Sequence, residues 1–246
     1  ADKHIKESTL DKEKVLNIAK VESATLVIST CIDQANVTAC YVSEKLNLFF
    51  PYSYETALNV TNKLKMKKLM LKNSIPTSRF IEVYDISECK NHRLKFPLIV
   101  KPTDSNSSKG VRRANNQKEL IQFTESALNI SRSKGAIIEE FIYGREIGID
   151  CYVQNHEVNI IMTRERIKIN NTDDTIQQIY GSFWPADLSS DSLTEIKSIA
   201  SNICKAFDLN NTPLLIQSII NEKNELNIIE FAPRIGGGEN YKIIEL

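Results

Sequence analysis

Residues 214–231 constrain the fold more than any other part of the chain. Two apolar runs, 214–220 and 226–231, flank the polar turn at 221–225. A connection that short joins two strands only as an antiparallel hairpin. Pairing about the turn sets Gln217 and Glu230 across from each other to within a residue or so. Ahead of the hairpin, Leu193, Ile196, Ile199, Ala200, Ile203 and Phe207 recur at helical spacing, and Ser192 with Glu195 has the form of a capping box.

Further upstream, 136–140, 146–153 and 157–163 read as three successive strands, and 80–84 and 97–101 as two more. A polar loop follows at 103–110, then a helix capped by Asn116, with Glu119 completing a capping box and Leu120, Ile121, Phe123, Thr124, Ala127 and Leu128 in its apolar stripe. Residues 170–182 are polar without a sustained period and read as a loop. Near the start, 11–20 and 35–46 are helical in pattern, while 25–29 and 48–50 read as short buried strands. Together they resemble the later half of an open parallel sheet. A helical pattern over 54–73 stops before Ile75-Pro76. The expected fold class is α/β, with a small first unit over 1–61 and a larger α+β unit over 62–246.

Composition excludes several classes. Lys plus Arg and Asp plus Glu both number 31 among 246 residues, so no global field draws the chain to nucleic acid or an anionic membrane. Charged residues at 25% and apolar ones at 41% are ordinary for a compact domain. The cysteines Cys31, Cys40, Cys89, Cys151 and Cys204 are odd in number and form no C-x-x-C pair, so buried thiols are expected rather than a disulfide framework or zinc site. No apolar run approaches the roughly 20 residues of a membrane span, and no secretory segment opens the chain. A cytoplasmic location is expected. The sequence begins at Ala1 without Met and stops at Leu246 with no closing turn, which reads as a chain cut from a longer one.

Three constellations carry chemistry. In the first, 96–101 ends a strand in Lys101, whose position the backbone fixes, and the small polar residues of 103–110 let amide groups approach phosphate oxygens. In the second, 136–142 runs through Ile137 and Ile138 into Glu139 and Glu140; carboxylates at the end of an apolar strand are costly to bury without donors, and an adenine amino group or ribose hydroxyls would suit them. In the third, Gln217 and Glu230 offer hard oxygens to a shared magnesium, and Arg234 supplies a planar fork for phosphate or carboxylate beside Gly236, Gly237 and Gly238. His4, His92 and His156 are scattered and build no triad.

In this order and at these separations the three constellations resemble the ATP-grasp superfamily of ligases, on its carbamoyl-phosphate-synthetase-like, carboxylate-amine ligase branch. The resemblance covers about 63–238 and implies a partial Rossmann-like pre-ATP-grasp domain followed by a two-lobed ATP-grasp domain, with a small lobe at about 75–140 and a large lobe at about 141–246. It implies ATP and magnesium, with manganese as a substitute, as cofactors. Lys63 and Lys101 would touch phosphates under the loop of Ser107, Ser108, Lys109 and Gly110. Glu139, Glu140, Phe141 and Ile142 would surround adenine, and Glu146 would take the ribose. Gln217 and Glu230 would be the metal ligands, and Lys101 and Arg234 the catalytic cations. Asn106 and Ser107 stand where family members often have glycine, and Ala232 where they have a metal-binding Asn. The implied activity is ADP-forming carbon–nitrogen ligation through an acyl phosphate, with small carboxylate and amine substrates expected to meet Arg164, Arg166, Lys168 and the loop 170–182. A non-catalytic nucleotide-binding module is the alternative. Neither nucleic acid nor membrane is expected as a partner; a homodimer is compatible with the resemblance.

Overall fold

The computed structural model describes residues 2–29, 32–90, 92–105, 108–168 and 179–237. Four helices come first: α1 (Lys12–Val21), α2 (Asp33–Leu46), α3 (Tyr54–Thr61) and α4 (Lys63–Lys72). The expected strands at 25–29 and 48–50 do not form; Leu26 and Ile28 are 53% and 71% exposed there, and among the described residues no neighbouring strand supplies a ladder. The helical pattern over 54–73 breaks at Asn62, whose backbone is extended and whose side chain accepts from the N–H groups of Leu64 and Lys65. That cap makes Lys63 the first residue of α4.

A four-stranded antiparallel sheet follows, built from β1 (Phe80–Val83), β2 (Leu98–Pro102), β3 (Arg112–Ala114) and β4 (Ala136–Glu140) in the order β1-β4-β2-β3. The three-residue β3 escaped the sequence pattern because it is too short to show a period. Helix α5 (Gln117–Ile130) covers one face, packing on Val83, Leu98, Val100, Ala114, Ala136 and Ile138. Its cap is as expected: Asn116 accepts from the Glu119 N–H, and Glu119 accepts from the Asn115 N–H. Alternation then turns Ile99, Lys101, Ile137 and Glu139 to the opposite face.

The second sheet has the order β7-β6-β5-β8-β9, from β5 (Arg145–Gln154), β6 (Glu157–Lys168), β7 (Ile179–Phe183), β8 (Thr212–Ile220) and β9 (Leu226–Ala232), again all antiparallel. β7 corrects part of the expected loop: 179–183 pairs with β6, and 170–178 lies outside the described residues. Helix α6 (Ser190–Phe207) covers one face together with α3 and α4, burying Ile147, Ile149, Cys151 and Val153 of β5 against Ala57, Met70, Ile196 and Ile203. Its cap is Ser189, which accepts from the Ser192 N–H, so Ser192 is inside the helix and not its cap.

Two bulges decide what the uncovered face of this sheet carries. On β8–β9 the register shifts after Gln217, which faces Glu230, while Ser218 faces Ile228. Ile229 is the extra residue. Without it Glu230 would share the face of buried Ile228; with it Glu230 turns to the side of Gln217. On β6 the extra residue is Ile161, and it turns Arg164 and Arg166 to the face that carries Gly148 and Glu146. Of the five cysteines expected as buried thiols, Cys40, Cys89, Cys151 and Cys204 are buried and free, whereas Cys31 lies outside the described residues.

Candidate active site

The two uncovered faces meet across an open cleft. Lys63, Lys101, Glu139, Glu146, Gln217 and Glu230 all line it.

On the small-lobe side, Lys101 is 7% exposed and Glu139 4%. Lys101 is thus buried at the strand end rather than solvated, placed there by β-alternation. Its Nζ lies 3.0 Å from Glu139 Oε1, and Lys67 Nζ lies 2.9 Å from Glu139 Oε2. Burial alone would raise the Glu139 carboxyl, but the Lys101 and Lys67 ammoniums outweigh it and hold the pKa down at about 2. Glu139 Oε1 is buried and accepts no hydrogen bond of good geometry. Nothing in the sequence pattern singled out Lys67: it sits on α4 among Lys65, Lys68 and Lys72 and reads as one more charge on a solvated face.

The connection from β4 to β5 forms the back of the cleft. Phe141 donates its N–H to the Pro97 carbonyl at 3.1 Å, and its ring packs edge-on to Tyr143. Gly144 has φ +154, and a Cβ there would stand 2.2 Å from the Ile220 carbonyl. Glu140 borders the cleft, yet its carboxylate accepts from the Lys95 N–H at 3.1 Å and lies 3.3 Å from Arg79, turned from Glu139 by the strand's alternation.

On the large-lobe side, Arg166 NH1 donates to Glu146 Oε1 at 2.8 Å and to Gln217 Oε1 at 2.6 Å. Lys168 Nζ lies 3.5 Å from the other Glu146 oxygen. Lys63 Nζ is 3.1 Å from Glu230 Oε2 and donates to the Ser105 carbonyl at 2.8 Å. For Glu230, burial raises the carboxyl, but Lys63 and Lys101 prevail and lower it. Among the described residues no three His, Cys, Asp or Glu side chains converge as a metal cluster. Gln217 and Glu230 are nevertheless directly opposed oxygen donors on one face, each already holding a cation from the protein. A hard divalent ion that keeps phosphate and water ligands fits such a pair.

The polar loop after β2 is placed in part. Ser108 borders the cleft, Lys109 is exposed away from its lining, Gly110 has φ +77 against Pro102 and Ile130, and Ser107 lies outside the described residues. Arg234 is not at the cleft. It lines an adjoining cavity with Arg164, Arg166 and Gln217, and its guanidinium is held by both carboxylate oxygens of Asp33 at the start of α2. Asp33 and Asp150, which pairs with Arg164 at 3.1 Å and accepts from the Gly236 N–H, had no signal in the sequence because their partners are far along the chain.

Residues 94–241 match the ATP-grasp domain model. The carbamoyl phosphate synthase large chain of Pyrococcus furiosus is 27% identical over 225 residues, covering 88% of this chain and 21% of that protein. The D-alanine–D-alanine ligase of Lacticaseibacillus casei is 32% identical over 153 residues, covering 61% of this chain and 42% of that one. The crystal structure of the L-amino acid ligase from Bacillus licheniformis superposes with a TM-score of 0.80 at 22% identity, over 96% of this chain and 56% of the other. The chain thus spans well under two thirds of the length of these relatives. With more than half of its residues matched by the domain model and the two sheets facing across one cleft, the chain belongs to the ATP-grasp family.

Proposed function

We propose that the chain is the nucleotide-binding and catalytic part of an ATP-dependent ligase that joins a carboxylate to an amine and releases ADP. Residues 62–246 would be the grasp domain and 1–61 part of a preceding unit. The observation that supports this reading is the convergence of Lys63, Lys101, Glu139, Glu146, Gln217 and Glu230 on one cleft from six different elements.

Each group has a role suited to its surroundings. Lys101 and Lys63 hold phosphate oxygens. Glu139 Oε1, which accepts no hydrogen bond, takes the adenine amino group. Glu146 takes ribose hydroxyls in place of Lys168, the longer of its two contacts. Gln217 and Glu230 hold magnesium or manganese, which supplies charge neutralisation for the transferring phosphoryl group. Arg166 borders both the cleft and the adjoining cavity, so it stands where phosphoryl donor and carboxylate meet, with Arg164 and Arg234 beyond it. A substrate carboxylate oxygen attacks the γ-phosphorus as the bond to the ADP oxygen breaks. The amine nitrogen then attacks the acyl carbon, inorganic phosphate leaves, and the amine proton passes to solvent. No side-chain nucleophile takes part, and positioning with charge neutralisation carries the rate.

The test is ADP release from MgATP with this protein, screened against paired carboxylates and amines. Release that needs both partners supports a ligase; MgATP binding with no pair giving release supports the non-catalytic module. Lys101→Ala should weaken MgATP binding roughly 10- to 150-fold, the effect of one lost charge-assisted hydrogen bond. Unchanged affinity in calorimetry would remove Lys101 from the site.

A further inference from the structure

Among the described residues Lys67 is the most buried lysine, at 1% exposure, and it does not border the cleft. Its Nζ donates to Thr77 Oγ1 at 2.7 Å and to Ser78 Oγ at 2.8 Å, and lies 2.9 Å from Glu139 Oε2. Both hydroxyl protons are committed elsewhere: Thr77 donates to the Ile228 carbonyl at 2.8 Å and Ser78 to Glu139 Oε2 at 2.7 Å. Each hydroxyl therefore offers Lys67 a lone pair. Three acceptors around one nitrogen require three protons, so the group is an ammonium. Burial lowers its pKa from the ordinary lysine value, and the Glu139 carboxylate opposes that shift.

Glu139 is thus shared between two ammoniums, and unequally. Its Oε2 is tied by Lys67 and Ser78, while its Oε1 has Lys101 at 3.0 Å without a well-formed hydrogen bond. One carboxylate and two ammoniums leave one net positive charge. Lys67 has no proton left for a ligand and no path to the cleft, so the uncompensated charge is presented by Lys101.

We propose that Lys67 is a positioning residue that satisfies the charge of Glu139 from behind and thereby leaves Lys101 free to receive phosphate. Without it, Glu139 would neutralise Lys101, and a phosphate would meet a dipole in place of a cation. This inference rests on the reading of the cleft as a nucleotide site. It predicts an effect graded by ligand charge, which general damage to the fold would not give.

The experiment is calorimetric titration of the wild-type chain and of Lys67→Met, Glu139→Gln and the double variant with adenosine, MgADP and MgATP. In Lys67→Met the affinity for ATP should fall roughly tenfold, with ADP falling less and adenosine staying within about twofold. Glu139→Gln should shift the ratio of ATP to adenosine affinity the other way, since it leaves both ammoniums uncompensated. The double variant should restore the wild-type ratio, whatever adenine contact Glu139 itself makes. Equal losses for all three ligands in Lys67→Met, or no loss for ATP, would overturn the proposal. Should Lys67→Met not fold, Glu139→Gln alone decides it: an unchanged or reduced ATP-to-adenosine ratio overturns it. A wild-type chain that binds none of the three ligands would overturn the nucleotide reading itself, and the proposal with it.

Discussion

At the scale of single residues, Glu139 has the clearest linkage to pH. Its folded pKa, about 2, lies below the ordinary 4.5, so the folded state favours the ionised carboxylate. The stability this contributes is complete above pH ~4.5 and is lost as the pH falls towards 2. Glu139→Gln should therefore flatten the acid side of the stability profile, with urea midpoints of mutant and wild type converging between pH 5 and 2. Parallel profiles would show that Lys67 and Lys101 do not sense Glu139 as they are placed. Residue types in this region were readable from the strand 136–140 alone, whereas the partner Lys67 was not. A buried ammonium and a solvated one look identical in a lysine-rich helix, and only the three-dimensional neighbours separate them.

Among the elements, regular pieces with strong local signals were legible: α5 with its Asn116 cap, β4, and the β8–β9 hairpin that brings Gln217 opposite Glu230. Features that depend on long-range pairing were not. The runs at 25–29 and 48–50 have strand composition but no ladder, β7 exists because β6 pairs with it, and the bulges at Ile161 and Ile229 leave no trace in a pattern of apolar residues. Arg234 fell beside the cleft for the same reason, since its direction is set by Asp33 at 201 residues' separation. The connection between β4 and β5 supports a direct test. Gly144→Ala would combine an unfavourable φ with a Cβ driven into the Ile220 carbonyl, a flexible-side-chain escape being absent because the obstacle is backbone. A loss of at least about 2 kcal/mol in chemical denaturation is expected. A loss below about 0.5 kcal/mol would mean that this connection can relax and does not hold the two sheets in register.

Across the whole molecule, the ties between the two lobes include the 141–144 connection and the N–H that Ile228 donates to the Pro76 carbonyl at 2.8 Å, beside the parallel bridge of Thr77 with Ile228. Pro76, Thr77 and the 141–144 connection lie where the two sheets meet, and Ser108 of the loop after β2 lines the cleft. In hydrogen exchange the Ile228 amide should be among the slow ones with or without MgATP, while amides of 108–111 should slow only when nucleotide is added. An Ile228 amide that exchanges faster with nucleotide would place the axis of motion elsewhere. A hinge at these joints would pass beside Thr77, whose hydroxyl accepts from the Lys67 ammonium. Atoms on a rotation axis keep their mutual distances as the bodies on either side swing. Opening and closing would then alter the water and the walls around a bound triphosphate while the electrostatic potential at its floor stays constant, so that capture and enclosure can be tuned by separate substitutions.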